Sequence, residues 1–220
     1  YAQPTIRMFF MQDIYNRKII RKPEFDPLVK KAIDALDEVI KKEPNYEPRE
    51  YLMLTEVYNE KAKDNLDFFK KSEAYIRKAL ELSPKRQDIY YLLAYILSGE
   101  GRSDEALKVA RDAVSLEEEV AKAHYMLGLN LALAGNGNWE EVEKEFTRAL
   151  DLGFAWAPLK NDDYKNMSVV YKKMLFYYIS LRSEDGVTRV AKRLQQINNE
   201  DSDLNNDLNT IINLANKGNW

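Results

Sequence analysis

The stretch Gln87–Leu152, QDIYYLLAYILSGEGRSDEALKVARDAVSLEEEVAKAHYMLGLNLALAGNGNWEEVEKEFTRALDL, decides the fold. It holds two copies of one pattern. Leu93-Ala94 returns as Leu127-Gly128, about 34 residues on. The ending Asp112-Ala113-Val114-Ser115-Leu116 returns as Arg148-Ala149-Leu150-Asp151-Leu152. Upstream, Lys78-Ala79-Leu80-Glu81-Leu82 prefigures the same ending. Self-similarity at a fixed period of this length predicts stacked helix pairs, each unable to bury its apolar face alone.

Within one copy, Tyr90, Leu93, Ala94 and Leu97 fall at i, i+3, i+4 and i+7, one apolar stripe of a first helix. Gly99 and Gly101 interrupt it. Ser103 is expected to cap the second helix, with Asp104 and Glu105 in its first turn at the positive end of the dipole. Ala106, Ala110 and Ala113 then share one face. The small side chains let two helices approach closely, and Tyr90, Leu93 and Leu97 fill the space beside them.

On these residues the sequence resembles the tetratricopeptide repeat (TPR) family. The copy from about Ala121 carries Tyr125, Leu127, Gly128, Phe146, Ala149 and Leu152 where the family has an aromatic, Leu-Gly, an aromatic, Ala and the closing Leu. It departs by two extra residues in Gly135-Asn136-Gly137-Asn138, and by Val142 where Ala is usual. The resemblance implies an all-α fold, a right-handed α-solenoid of stacked antiparallel helix pairs with a C-terminal capping helix. It divides a single domain into a divergent pair (1–47), repeats at about 48–86, 87–120 and 121–153, a divergent pair (163–200) and a cap (203–217).

The flanks fit this scheme. Residues 4–20 read as a helix with Ile6, Phe9, Phe10, Ile14, Ile19 and Ile20 apolar, ending in the basic cluster Arg17, Lys18, Arg21 and Lys22. Asp26-Pro27 starts the next helix, with Leu28, Ala32, Leu36, Val39 and Ile40 inward. Tyr51, Leu54, Thr55 and Tyr58 repeat the stripe of Tyr90, Leu93, Ala94 and Leu97. Gly153 is placed to end a helix, and Phe154–Leu159 is an apolar loop expected to fold over the end of the repeats. Ser183 is placed to cap a helix holding Val187, Val190, Ala191 and Leu194. The last helix, from about Leu204, carries five Asn between Asn205 and Asn216, a polar outer face that suits the end of a stack.

Composition narrows the function. A hydrophobic content of 45% with 31% charged residues fits a folded helical chain. A net charge of −3 argues against a nucleic-acid-binding surface over the whole molecule. With no Cys, disulfides, thiolate catalysis and Cys-based zinc sites are excluded. No cofactor or metal site is expected, and no catalytic residue. The single His, His124, sits at a repeat's aromatic position, where packing is expected of it. The glycines at 99–101 and 135–137 lack the strand–loop–helix setting that cradles phosphate.

The resemblance also implies which residues meet a partner. In TPR-like stacking the first helices line a concave surface. The positions beside the buried stripe are then Leu52 and Glu56, Tyr91 and Tyr95, Tyr125 and Leu129, and Lys172 and Phe176. Only Lys172 has the chemistry of a clamp for a terminal carboxylate, so an aromatic, Tyr-lined groove for a peptide or helix of a protein partner is expected instead. The competing reading is that Tyr91, Tyr95 and Tyr125 pack between adjacent first helices. Two further expectations concern context. The chain begins at Tyr1 without an initiator Met, and its basic cluster would suit proximity to an anionic membrane. In layout it is similar to the soluble TPR tail of a bacterial O-antigen-type polymerase or ligase. The apolar first helix, Ile6 to Ile20, would alternatively serve as a homo-oligomer contact.

Overall fold

A computed structural model describes residues 24, 26–45, 47–62, 65–135, 138–154, 162–198 and 201–218. The helix expected over residues 4–20, with its basic cluster, lies outside these. The described residues form ten α-helices and no strand: α1 Asp26–Lys42, α2 Pro48–Ala62, α3 Asp67–Leu82, α4 Gln87–Gly99, α5 Ser103–Leu116, α6 Ala121–Ala134, α7 Trp139–Asp151, α8 Asp162–Ser180, α9 Glu184–Ile197 and α10 Ser202–Asn216. They fall into two compact units, one through Glu117 and one from Glu118.

In the first unit α2 packs on α3, α4 on α5, and α3 joins the two pairs. One cluster runs through Tyr51, Phe69, Ile76, Ile89, Leu93, Leu97 and Ala106. A second holds α1 to α2 through Val29, Leu36, Leu54 and Val57. The alanine seam is as tight as its small side chains allow: Ala94, Ala106, Ala110 and Ala113 are at most 1% exposed. Pair α2–α3 closes differently, with buried hydroxyls. Thr55 Oγ1 donates to the Tyr51 carbonyl at 2.7 Å. Ser72 Oγ, reaching across from α3, lies 2.8 Å from the Thr55 carbonyl and 2.6 Å from Asn59 Oδ1. Buried polar groups are tolerable when partnered in this way.

In the second unit α6 packs on α7, α8 on α9, and α10 on α9. Gly128 sits against the Phe146 ring, where an added Cβ would fall well inside van der Waals contact. The absence of a side chain there is what lets the ring in. Tyr125, Phe146 and Tyr171 pack in sequence, with centroids 5.9 and 5.8 Å apart, and all three are fully buried. Phe154 turns back after Gly153, whose φ of +86° favours glycine, and stacks on Tyr125 at 4.5 Å. The rest of the apolar loop lies outside the described residues.

Helix ends follow the sequence signals in part. Ser183 Oγ accepts from the Gly186 amide at 3.2 Å, Asp201 Oδ1 from Leu204 at 3.0 Å, and Asn138 Oδ1 from Glu141 at 3.3 Å. Ser103 does not cap α5. It is the first helical residue, and Arg102 precedes it without a side-chain cap bond. The Arg102 guanidinium instead gathers Glu105, Glu73 and Glu100 at 2.6 to 2.8 Å.

The packing assigns distinct costs to three substitutions. Leu127→Ala removes a side chain that is 3% exposed and should cost roughly 2–5 kcal/mol. Gly128→Leu drives atoms into the Phe146 ring and should cost roughly 1–3 kcal/mol or more. Glu118→Gln, on an exposed side chain, should be nearly silent. Urea denaturation midpoints check the order; three equal midpoints would contradict the assigned faces.

Candidate functional site

A shared contact ties the starts of α2, α4 and α6 to the turns before them. Tyr51 Oη donates to the Pro44 carbonyl at 2.9 Å, and Tyr90 Oη to the Pro84 carbonyl at 2.7 Å. At the same register in α6, His124 Nε2 lies 2.8 Å from the Glu118 carbonyl. Its Nδ1 meets Glu145 Oε2 of α7 at 2.6 Å, with both side chains buried. Both ring nitrogens are thus consumed in tying α6 to the preceding turn and to α7. Among the described residues, no group of three or more His, Asp or Glu is placed to hold a metal ion.

With the first helices anchored, the expected face can be followed residue by residue. On α2, Leu52 and Glu56 are half-buried. On α4, Tyr91 is half-buried and Tyr95 is 41% exposed. Tyr95 meets the ring of Phe69 edge-on, at 6.3 Å between centroids. Tyr91 Oη donates to Gln87 Oε1 at 3.1 Å, and Gln87 Nε2 donates to the carbonyls of Ala113 and Glu117. The tyrosine is thereby braced through its own helix onto the end of α5. Burial, then the charges of Asp88 and Glu117, push its phenol up to about 12.

The second unit departs from expectation at one position. The sequence places Tyr125 on the accessible face, but its side chain is fully buried. Phe154 covers one side of the ring, Phe146 packs nearby, and Lys122 Nζ sits 4.5 Å from its centroid. The sequence signal for this is Gly153-Phe154, a turn followed at once by an aromatic. Leu129 is half-buried, whereas Lys172 and Phe176 on α8 stand in solvent, Phe176 at 71% exposure. Val169, 54% exposed and two turns from Phe176, extends that stripe and is absent from the sequence expectation.

With Glu50, Glu56 is one of two electrostatic anomalies on α2. Among the described residues it makes no hydrogen bond and no ion pair. Burial raises its carboxyl above the ordinary value of 4.5, and the like charge of Asp88 on α4 raises it further. The carboxyl of Glu50, at the start of the same helix, is also raised by burial, and its Oε2 has no hydrogen-bond partner among the described residues, whereas several other acids of the unit are paired. Around the cavity of about 630 Å³ walled by Tyr58 and Phe68, Lys61 meets Asp26 at 2.8 Å, Lys30 meets Asp34 at 2.7 Å, and Tyr75 Oη donates to Asp37 at 2.7 Å.

The comparisons agree with this geometry. An array of antiparallel helix pairs, small residues facing large ones at each crossing, defines an all-α helical repeat. Residues 75–108, from within α3 into α5, match the tetratricopeptide repeat model. That segment carries one recognisable tetratricopeptide repeat, and the chain as a whole has a fold similar to that of solved TPR proteins. YrrB, a solved TPR protein, is similar with a TM-score of 0.59 and 18% identity, over 93% of this chain and 90% of its own. A tetratricopeptide repeat protein from Parabacteroides merdae gives 0.61 and 16%, over 99% and 77%. A thermophilic TPR protein of Thermus thermophilus gives 0.56 and 17%, over 96% and 99%. At these identities the likeness is one of fold. No curated protein matches the sequence.

The raised carboxyl has a pH signature. A group that holds its proton more tightly when folded makes stability fall as pH rises through the window above its ordinary value, here above 4.5. Glu56→Gln removes that penalty. The variant should therefore be more stable than wild type at pH 7, with the advantage shrinking to nothing as pH drops below about 4.5. Urea midpoints at the two pH values measure it, and an advantage equal at both would contradict the burial of a charged Glu56.

Proposed function

We propose that the chain is a non-enzymatic scaffold whose first helices hold a peptide or helix of a protein partner along their accessible face. Tetratricopeptide repeats are protein-interaction modules, which gives the coarse role. The finer reading rests on one observation: aromatic side chains stay exposed at face positions, Tyr95 at 41% and Phe176 at 71%. On α8 the exposed Val169 lies two turns from Phe176 on the same side, so the apolar exposure there is more than a single residue. Tyrosine adds rigid area at low entropic cost together with a directional hydroxyl. YrrB, which shares the fold, is described as having an unusual peptide-binding site, and this supports a peptide as ligand.

Short random peptides displayed on phage and selected on the whole chain provide the test. Selected sequences should carry apolar anchors. Phe176→Ser should leave the thermal midpoint within about a degree or two, since its ring is 71% exposed, and Tyr95→Ser, which gives up only an edge contact with Phe69, should lower it by no more than a few degrees. At least one of them should weaken the selected peptides by roughly tenfold or more, as loss of an interface anchor does. Peptides bound equally by both variants would refute the face assignment.

A further inference from the structure

We propose that the α2–α4 face of the first unit accepts the side chain of a lysine or arginine from the partner, with Glu56 as its counter-ion and Tyr91 and Tyr95 beside it. The inference rests on the face reading above and names the chemistry of its ligand. It starts from an imbalance of charge. Asp88 is committed to Arg86, with Nε and Nη2 each 2.8 Å from a carboxylate oxygen. Glu73, Glu100 and Glu105 share Arg102. Glu56 has no such cation among the described residues, although it is half-buried and lies within the field of Asp88.

A second unmet demand lies beside it. Asn59, one turn along α2, is 5% exposed, and its amide Nδ2 has no acceptor. Glu50 Oε2, earlier on α2, is likewise buried without a partner among the described residues, so the helix carries several unmet polar groups. Leu52, one turn before Glu56, packs against the cluster that holds Ile89 and Leu93 of α4, and Tyr91 follows Asp88 by one turn of that helix, which sets Tyr91 on the side of α4 whose Asp88 acts on Glu56. Tyr95 follows Tyr91 by one helical turn, on the same side of α4. A half-desolvated carboxylate near aromatic rings suits an alkyl-ammonium or guanidinium. The charge pairs with Glu56, the rings attract the cation, and the alkyl stem covers apolar surface such as Leu52. An acidic segment would set a like charge beside the unpaired Glu56.

Parallel phage selections on wild type and on Glu56→Gln test the proposal, because the amide keeps the shape and removes the charge. Wild type should enrich Lys or Arg at one position, and Glu56→Gln should lose that enrichment while keeping the apolar anchors. Synthetic copies of the best wild-type peptide, with that Lys or Arg or with norleucine in its place, are then titrated by fluorescence anisotropy. Wild type should favour the cationic copy by roughly tenfold, and Glu56→Gln by less than about twofold. Glu56→Lys should instead prefer a copy carrying Glu at that position. Absence of cationic enrichment, or a preference that survives in Glu56→Gln, would overturn the counter-ion role and leave the face reading intact. Selected peptides indifferent to both Tyr95→Ser and Phe176→Ser would overturn the face reading and this inference with it.

Discussion

Everything in this protein depends on two helices of a pair coming close enough for one side chain to enter the other's backbone groove. At α6–α7 the entering group is the Phe146 ring and the gap is Gly128. At α4–α5 four alanines supply mutual clearance. At α2–α3 it is Ser72, whose hydroxyl bonds the Thr55 carbonyl across the crossing. Three chemistries meet one geometric demand. Without that approach the leucines flanking each crossing would not reach a closed core, and a short amphipathic helix in water has little stability of its own.

The accessible face follows from this demand. Once one side of a first helix is occupied by its partner helix and another by the neighbouring pair, the remaining side has no structural role. In α4 this leaves Tyr95 exposed while Leu93, Ala94, Ile96 and Leu97 are buried. In α8 it leaves Val169 and Phe176 exposed while Val170, Tyr171, Met174 and Leu175 are buried. The anchoring bonds from Tyr51, Tyr90 and His124 hold each helix start to the preceding turn. They therefore fix which residues turn outward.

The repeat itself is legible because it depends on side-chain size at fixed spacing. Leu127-Gly128, Ala106, Ala113 and Ala149 announce their burial without a structure. His124 is legible as structural by register, although its bond to Glu145 is not, because that contact depends on where α7 brings a carboxylate. Register alone misplaces Tyr125, because a face position stays open only if nothing returns to cover it. Phe154, beyond the end of the repeat, does so. Ser103 does not take its expected role: the helix begins at Ser103 itself, one residue earlier than a cap there requires, and the preceding Arg102 binds three glutamates. Glu56 carries no sequence signal beyond its place on the face. Its anomaly lies in the partner it lacks, and partners are set by tertiary contact.

The position of Glu56 separates two accounts of this surface. If the face existed only to be soluble, the least costly residue there would be fully hydrated or neutral, since desolvating an unpaired carboxylate beside another acid works against folding. The same unit shows how readily such costs are removed: Arg102 alone serves three glutamates, and Lys61, Lys30 and Arg86 each reach an aspartate. A lysine or arginine placed a turn away on α2 or α4 would do the same for Glu56. The inferred cationic ligand accounts for a carboxylate left half-buried and unmatched on α2. Local departures from the best folded-state choice are expected where a surface is shaped for binding rather than for stability alone.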